Sequence, residues 1–148
     1  MRQLVCTQCG AANRFPDDRD PRAAKCGQCH VVLLTGAPVA VDEAQLAKHR
    51  GATKGVALLL DVWAPWCGPC QAMAPQLEKA AELLAPDVRV LKLNSDEAPG
   101  AAQALGVRGI PALFLFAEDR VIAQQSGAMP ASEIVSWTRK ALTEATAR

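Results

Sequence analysis

The chain has no strong excess of charge of either sign. Sixteen lysines and arginines stand against fifteen aspartates and glutamates, a formal net charge of +1. General nucleic-acid binding usually needs a strongly basic face, so it is not expected. Long apolar runs are missing too. Stretches such as Val56-Ala57-Leu58-Leu59-Leu60 are far too short to span a bilayer, and no membrane segment is expected. The first thirty residues carry charges throughout and have no apolar central stretch, which reads against a secretory signal. No internal repeat is evident. These absences point to a soluble, cytoplasmic protein, expected to be a monomer. Its 148 residues leave room for one full domain plus a small appendage, and 50% apolar content makes a real core available.

Cysteine, by contrast, is plentiful, with six residues in three Cys-x-x-Cys pairs. Structural disulfides are rare in the cytoplasm, so metal binding and redox chemistry explain them better than a disulfide framework. Residues 1–35 hold Cys6-Thr7-Gln8-Cys9 and Cys26-Gly27-Gln28-Cys29. The sixteen residues between Cys9 and Cys26 fit a four-cysteine zinc site. Each pair can form a tight knuckle, with Gly10 and Gly27 supplying backbone freedom. Two facing knuckles give a tetrahedral S₄ site, the preference of zinc among abundant metals. Iron on four sulfurs and a redox sensor that ejects its zinc are the other readings. His30 could substitute as a ligand, but four cysteines already complete the site, so it reads as an exposed knuckle residue. Arg14 to Pro21 is polar and proline-bearing and reads as a loop. With so few apolar residues the metal would supply the stability of this module. Four thiolates and one Zn²⁺ would bring the net charge to about −1, still near neutral.

The third pair lies in Trp63-Ala64-Pro65-Trp66-Cys67-Gly68-Pro69-Cys70. An apolar run, Val56 to Val62, precedes it and reads as a buried strand. A segment with helical spacing comes after it, with Met73, Leu77, Ala80, Ala81 and Leu84 on its inner face. Two thiols at this separation can close a disulfide across the first turn of that helix. The first thiol then sits at the positive end of the helix dipole, which favours the thiolate, the species that attacks disulfides. Pro75 is expected to kink the helix. Asp61 stands in the preceding strand. Alternation alone would let it face solvent, but the apolar residues on both sides argue for a central strand covered on both faces.

Elsewhere, Thr35 to Pro38 is a linker, and Val39 to Val41 an edge strand. Asp42 caps a helix through about His49, which is placed on its surface; the helix ends near Gly51. Val88 to Leu93 is a buried strand containing Lys92, whose side chain could simply reach solvent. Asn94 to Gly100 is a polar loop, and Ala101 to Leu105 a short helix. Pro111 opens a strand, Ala112 to Phe116, joined through Glu118-Asp119 to Val121–Gln125. Pro130 begins the last helix in its first turn. Ile134, Val135, Trp137, Thr138, Ala141 and Leu142 form the inner face, and Thr143 to Arg148 reads as a frayed tail. The order β-α-β-α-β-β-α implies an α/β fold with a central mixed sheet flanked by helices.

Trp66-Cys67-Gly68-Pro69-Cys70 resembles the active-site signature of thioredoxins, and the likeness extends over roughly residues 55–145. With the four-cysteine knuckle in front, and with Arg14-x-Pro16-x-Asp18-Arg19 and Lys25-Cys26-Gly27, the chain resembles the zinc-binding bacterial thioredoxin-2 type. Val62 and Ser126 depart from residues common in the family. The resemblance implies a thioredoxin fold over 36–148 behind a zinc module over 1–35. It implies that Cys67 and Cys70 are the reactive pair, with Asp61 as the buried carboxylate that moves a proton for Cys70. Lys92 would lie near Asp61 and help to hold it ionised. Ile110-Pro111 would form the cis-proline loop, although the residues alone allow an ordinary trans proline. Trp66, Gly68, Pro69, Gly109, Ile110, Gly127 and Ala128 would border the substrate, whose backbone pairs with the loop as an added strand.

The resemblance thus implies a general protein-disulfide reductase. Its partners would be disulfide-containing target proteins and an NADPH-dependent flavoprotein, thioredoxin reductase. One zinc ion on Cys6, Cys9, Cys26 and Cys29 would be the only cofactor. A thiol oxidant or isomerase, and a zinc-regulated chaperone or binding module, are the alternatives. The knuckle has no aromatic-rich or basic face to name a partner.

Overall fold

A computed structural model describes residues 1–147. Its centre is β4 (Ala57–Trp63), which lies between parallel β5 (Val88–Asn94) and antiparallel β6 (Ala112–Ala117). The five-stranded sheet is completed by β3 (Val39–Val41), parallel to β5, and by β7 (Arg120–Ser126), antiparallel to β6. The sheet is mixed and flanked by helices, the thioredoxin fold. Six of the seven β4 residues are buried, which explains its nearly unbroken apolar run.

Alternation along β4 divides the core. Leu59 points into a cluster with Met73, Leu77, Ala80 and Leu84 of α2 (Gly68–Leu84) and Ile134 of α4 (Ala131–Thr146). Leu58, Leu60 and Val62 point to the other face. There they meet Leu46 of α1 (Glu43–Ala52), Ala102 of α3 (Pro99–Ala104), Leu91 and Phe114. The spacing of apolar residues in α2 thus produces the expected inner face. Pro75 stands inside α2, which continues through it as a single element.

Local chemistry sets the ends. Asp42 and Gln45 form a capping box at the start of α1. Glu118 and Asp119, at φ 48° and 63°, make the turn between β6 and β7. Glu118 accepts from Gly55 N–H at 2.8 Å, and Asp119 pairs with Arg50 at 2.8 Å. Pro86 and Pro111 are both preceded by cis peptide bonds.

Several expectations are corrected. The helix α3 begins at Pro99, inside the stretch read as loop, because proline suits a first helical turn. Pro130 is the N-cap of α4 and not its first turn; Ala131 N–H donates instead to Gln76 Oε1 of α2 at 2.9 Å. The supposed frayed tail is helical to Thr146, and Arg148 lies outside the described residues. His49 is 3% exposed, turned inward with Leu46 three residues earlier.

The N-terminal module is also more ordered than its composition promised. β1 (Arg2–Val5) and β2 (Ala12–Phe15) form an antiparallel hairpin that includes Arg14 and Phe15, residues read as loop. Pro21–Ala23 is a 3₁₀ turn capped by Asp20. Leu4, Phe15, Leu33 and Leu34 pack with Val56, just before β4, and with Ala85, just after α2. The module therefore borrows apolar partners and does not stand on its own few. Backbone bonds of 2.9 Å in both directions tie Gln3 to Lys54.

Leu77 is fully buried between α2, the sheet and α4. Leu77→Ala is expected to lower unfolding free energy by ~3 kcal/mol, read from urea denaturation at unchanged m-value.

Candidate active site and metal centre

The chain leaves the C-terminal end of β4 through Ala64-Pro65-Trp66 and enters α2 at Cys67, its N-cap. Cys67 and Cys70 are joined as a disulfide with Cα atoms 5.3 Å apart. Cys67 Sγ accepts from Cys70 N–H at 3.2 Å. It therefore occupies the place where an N-capping oxygen usually sits, among the free N–H groups and at the positive end of the dipole. An anionic sulfur there is stabilised. The two sulfur-bearing residues are equally covered, at 4% exposure each.

Two loops close on this turn. The cis Ile110–Pro111 peptide brings the Ile110 carbonyl oxygen to 3.8 Å from Cys67 Sγ. Ile110 and Trp63 pack against Ala64, Cys67 and Cys70. Pro111 is buried, while Gly109 is exposed. Gly127 N–H donates to the Pro111 carbonyl at 2.9 Å, which draws the third loop alongside. Gly127 has φ 103°, a conformation that favours glycine, and it and Ala128 are exposed. Gly68 and Pro69 are exposed on the helix start. Trp66 is 71% exposed, with its indole N–H donating to the Asp96 carboxylate at 3.1 and 3.2 Å. The residues expected around the substrate thus share one surface. Asp96, which orients Trp66, was not singled out from sequence.

Asp61 is 2% exposed, and its Oδ1 has no hydrogen-bond partner. It lies on the Leu59 face of β4, toward α2, and pairs in register with Lys92 on β5. Burial pushes its carboxyl up to about 6; the Lys92 ammonium opposes that shift only in part. Lys92 Nζ sits 5.0 Å from the centre of the Trp63 ring.

The other four cysteines come together at a different kind of site. Their Sγ atoms all lie within 4.8 Å of one another, with Cys6–Cys29 at 3.4 Å and Cys9–Cys26 at 3.5 Å. The two knuckles repeat one hydrogen-bond pattern. Gly10 N–H returns to the Cys6 carbonyl at 3.0 Å, and His30 N–H to that of Cys26 at 2.9 Å. Backbone N–H groups of Gln8 and Gln28 point at Cys6 and Cys26 sulfur, each at 3.4 Å. The turn residue of the second knuckle is His30, at φ 70°, and not Gly27. His30 is exposed, as expected. Asn13, unremarked in the sequence, braces the second knuckle. It donates to Cys26 Sγ at 3.4 Å and accepts from Gly27 N–H at 2.9 Å.

A tetrahedral zinc site with Zn–S bonds of ~2.3 Å needs sulfurs ~3.8 Å apart, so this cluster fits one. The thiols differ sharply from one another. The Cys29 N–H and the Asn13 amide help to hold Cys26 down to about 5. Cys29, despite a hydrogen bond from Val31 N–H, is pushed up to about 12 by burial and neighbouring sulfurs. A divalent cation would hold all four as thiolates.

At the first site, the one reactive bond is a disulfide set in a shallow, backbone-rich surface, and what it can do is exchange with other thiols and disulfides. That defines the class as a protein-disulfide oxidoreductase. Residues 37–140 match the family described as Thioredoxin, and residues 5–31 the family described as Thioredoxin 2, N-terminal. The chain belongs to the thioredoxin family, and its N-terminal segment groups it with the thioredoxin 2 type. Thioredoxin C-3 of Corynebacterium nephridii is 35% identical over 134 residues, covering 90% of this chain and 91% of that protein. A thioredoxin of Rhodospirillum rubrum is 45% identical over 78 residues, 53% of this chain and 75% of its own. Spinach chloroplast thioredoxin f, in its short form, aligns with a TM-score of 0.67 at 31% identity, covering 73% of this chain and 96% of that one.

Asp61 carries a sign that can be tested. Its folded pKa lies above the ordinary carboxylate value, so the stability its protonated form allows is lost as pH rises through about 6. Asp61→Asn removes that penalty. In the oxidised protein the expected gain is ~3 kcal/mol at about pH 8 and close to zero below about pH 4, read by urea unfolding at both values.

Proposed function

We propose that the chain is a general protein-disulfide reductase. The observation that carries this reading is the Cys67–Cys70 pair at the start of α2, closed against the cis Ile110–Pro111 loop. In the reduced protein Cys67 acts as the thiolate nucleophile, stabilised by the α2 N-terminus. It attacks one sulfur of a target disulfide. A Cys67–target S–S bond forms, the target S–S bond breaks, and the released target sulfur leaves as a thiolate that takes up a proton. Cys70 then attacks Cys67 Sγ. The mixed disulfide breaks, the second target sulfur is released, and Cys67–Cys70 becomes the disulfide. Two electrons have passed to the target.

Asp61 assists the second step as the base that accepts the Cys70 proton. Its place on the α2 face of β4 and its carboxyl at about 6 support that role near neutral pH. Lys92, its partner across β5, keeps part of the population ionised. Trp66, Gly68, Pro69, Gly109, Ile110, Gly127 and Ala128 form the docking surface, and Pro111, lacking an N–H, leaves its neighbours free to pair with the target backbone. An NADPH-dependent flavoprotein, thioredoxin reductase, would restore the dithiol.

Residues 1–35 form the zinc module in this reading and 36–148 the catalytic domain. Cys6, Cys9, Cys26 and Cys29 would hold one Zn²⁺, which supplies stability to the module and takes no part in exchange. The setting is the cytoplasm, and the protein acts as a monomer. Among the described residues no helix is long and apolar enough to cross a membrane.

Cys67→Ser should abolish turnover of a protein disulfide such as insulin, whereas Cys70→Ser should accumulate mixed disulfides visible on non-reducing gels. The couple is expected near about −270 mV, the reference value of thioredoxin itself, when equilibrated against dithiothreitol. A value between about −120 and −180 mV would replace the reductase by an oxidant or isomerase. For the metal, purified protein should contain one zinc per chain. Cys9→Ala should lose most of it, with a fall in Tm on chelation seen only in the parent.

A further inference from the structure

Arg89 is 1% exposed and is the largest fully buried side chain of the described residues. It sits near the start of β5, yet its contacts belong to the N-terminal module. Nη1 donates to the Val5 carbonyl at 2.7 Å, and Nη2 donates to the Leu33 carbonyl. Val5 directly precedes Cys6. Leu33 lies just beyond the second knuckle, where its N–H bonds back to the Ala24 carbonyl. One guanidinium thus holds a backbone oxygen beside each Cys-x-x-Cys pair.

What it lacks is an acid. The ion pairs of the described residues are Met1–Asp17, Arg22–Asp20 and Arg50–Asp119, and Arg89 is in none of them. Its Nε has no partner at all. His49 Nδ1 lies 3.5 Å from Nη1, but that ring is neutral: burial, and then Arg89 itself, push it down to about 4. Leaving a buried cation without a counter-charge costs several kcal/mol. Its hydrogen bonds lead to the sulfur cluster, since the Val5 carbonyl it holds is one residue from Cys6. Burial pulls Arg89 down to about 10, and the charge of a Cys6 thiolate opposes that pull. A zinc ion on four thiolates carries a formal charge of −2.

We propose that Arg89 is the counter-ion of the metal-loaded four-cysteine centre: a buried cation, supplied by β5 of the catalytic domain, that offsets the dianion and grips both knuckles by their flanking carbonyls. The inference rests on the zinc reading above. It makes Arg89 a positioning residue for the metal, outside the ligand set. By linkage, zinc and the docking of the module onto the sheet strengthen each other. Groups that brace metal ligands from just outside the coordination sphere typically alter metal affinity about 10–100-fold.

The test is zinc affinity of the full-length chain, measured by competition with a chromophoric chelator. The thiolate-to-metal absorption of the Co²⁺ form reports the ligand geometry. Arg89→Met should weaken zinc binding at least ~10-fold, and Arg89→Lys, which restores the charge, should stay within about 3-fold of the parent. Should Arg89→Met fail to fold, Arg89→Gln keeps a donor without charge and should show the same loss. Unchanged affinity in the neutral variants overturns the proposal, as does a lysine variant as weak as they are. A parent chain that binds no zinc overturns the zinc reading and this inference together, whereas normal zinc binding by every variant overturns this inference alone.

Discussion

The active surface depends on a central strand covered on both faces. β4 has hydrogen-bonded neighbours on both edges and apolar side chains from helices above and below. Such a strand has little freedom to shift, so the turn at its C-terminal end is held in place. The disulfide, the start of α2 and the cis-proline loop all converge there. The same covering makes Asp61 unusual. A carboxylate in the middle of that strand cannot reach water, and its altered acidity comes from position before any neighbour is considered.

Cys-x-x-Cys spacing serves two unlike purposes in this one chain. The backbone path beyond the second cysteine decides between them. After Cys9 and Cys29 the backbone turns through positive φ at Gly10 and His30, and N–H groups converge on the sulfurs. That produces a closed knuckle that gathers thiolates for a cation. After Cys70 the chain continues along α2, a helix of 17 residues. There a single sulfur meets the helix N-terminus, and its partner lies one turn on. The first arrangement restrains its sulfurs, whereas the second leaves them free to exchange partners.

Much of this was legible in the residues. The apolar run of β4, the helical spacing of α2, the Glu118-Asp119 turn and the grouping of four cysteines come from local patterns, and the structure has them. The hairpin of β1 and β2 was not legible, because two four-residue strands give too short an alternation to read. Phe15 was the available signal, one large apolar residue in a polar stretch. The pairing of His49 with Arg89 was hidden for a different reason. Each is polar, so each alone reads as surface; only the fold reveals that they lie against each other and that Arg89 reaches carbonyls far away in sequence. Asn13 and Asp96 belong to the same class, since a brace is recognised by what it touches.

Arg89 and Val5 are 84 positions apart, and Arg89 and Leu33 are 56 apart. Val56 and Ala85, which complete the apolar packing of the module, are similarly distant from Leu4 and Phe15. A ribosome therefore releases the four cysteines well before it has made the residues that cover them. Domains generally fold in order of synthesis, the N-terminal one first. Here the first segment to emerge must wait for Arg89, well into the second domain, before its packing is complete. Until β5 has been made, the hairpin and its sulfurs must be kept together by their own short-range bonds and by whatever ion they have captured.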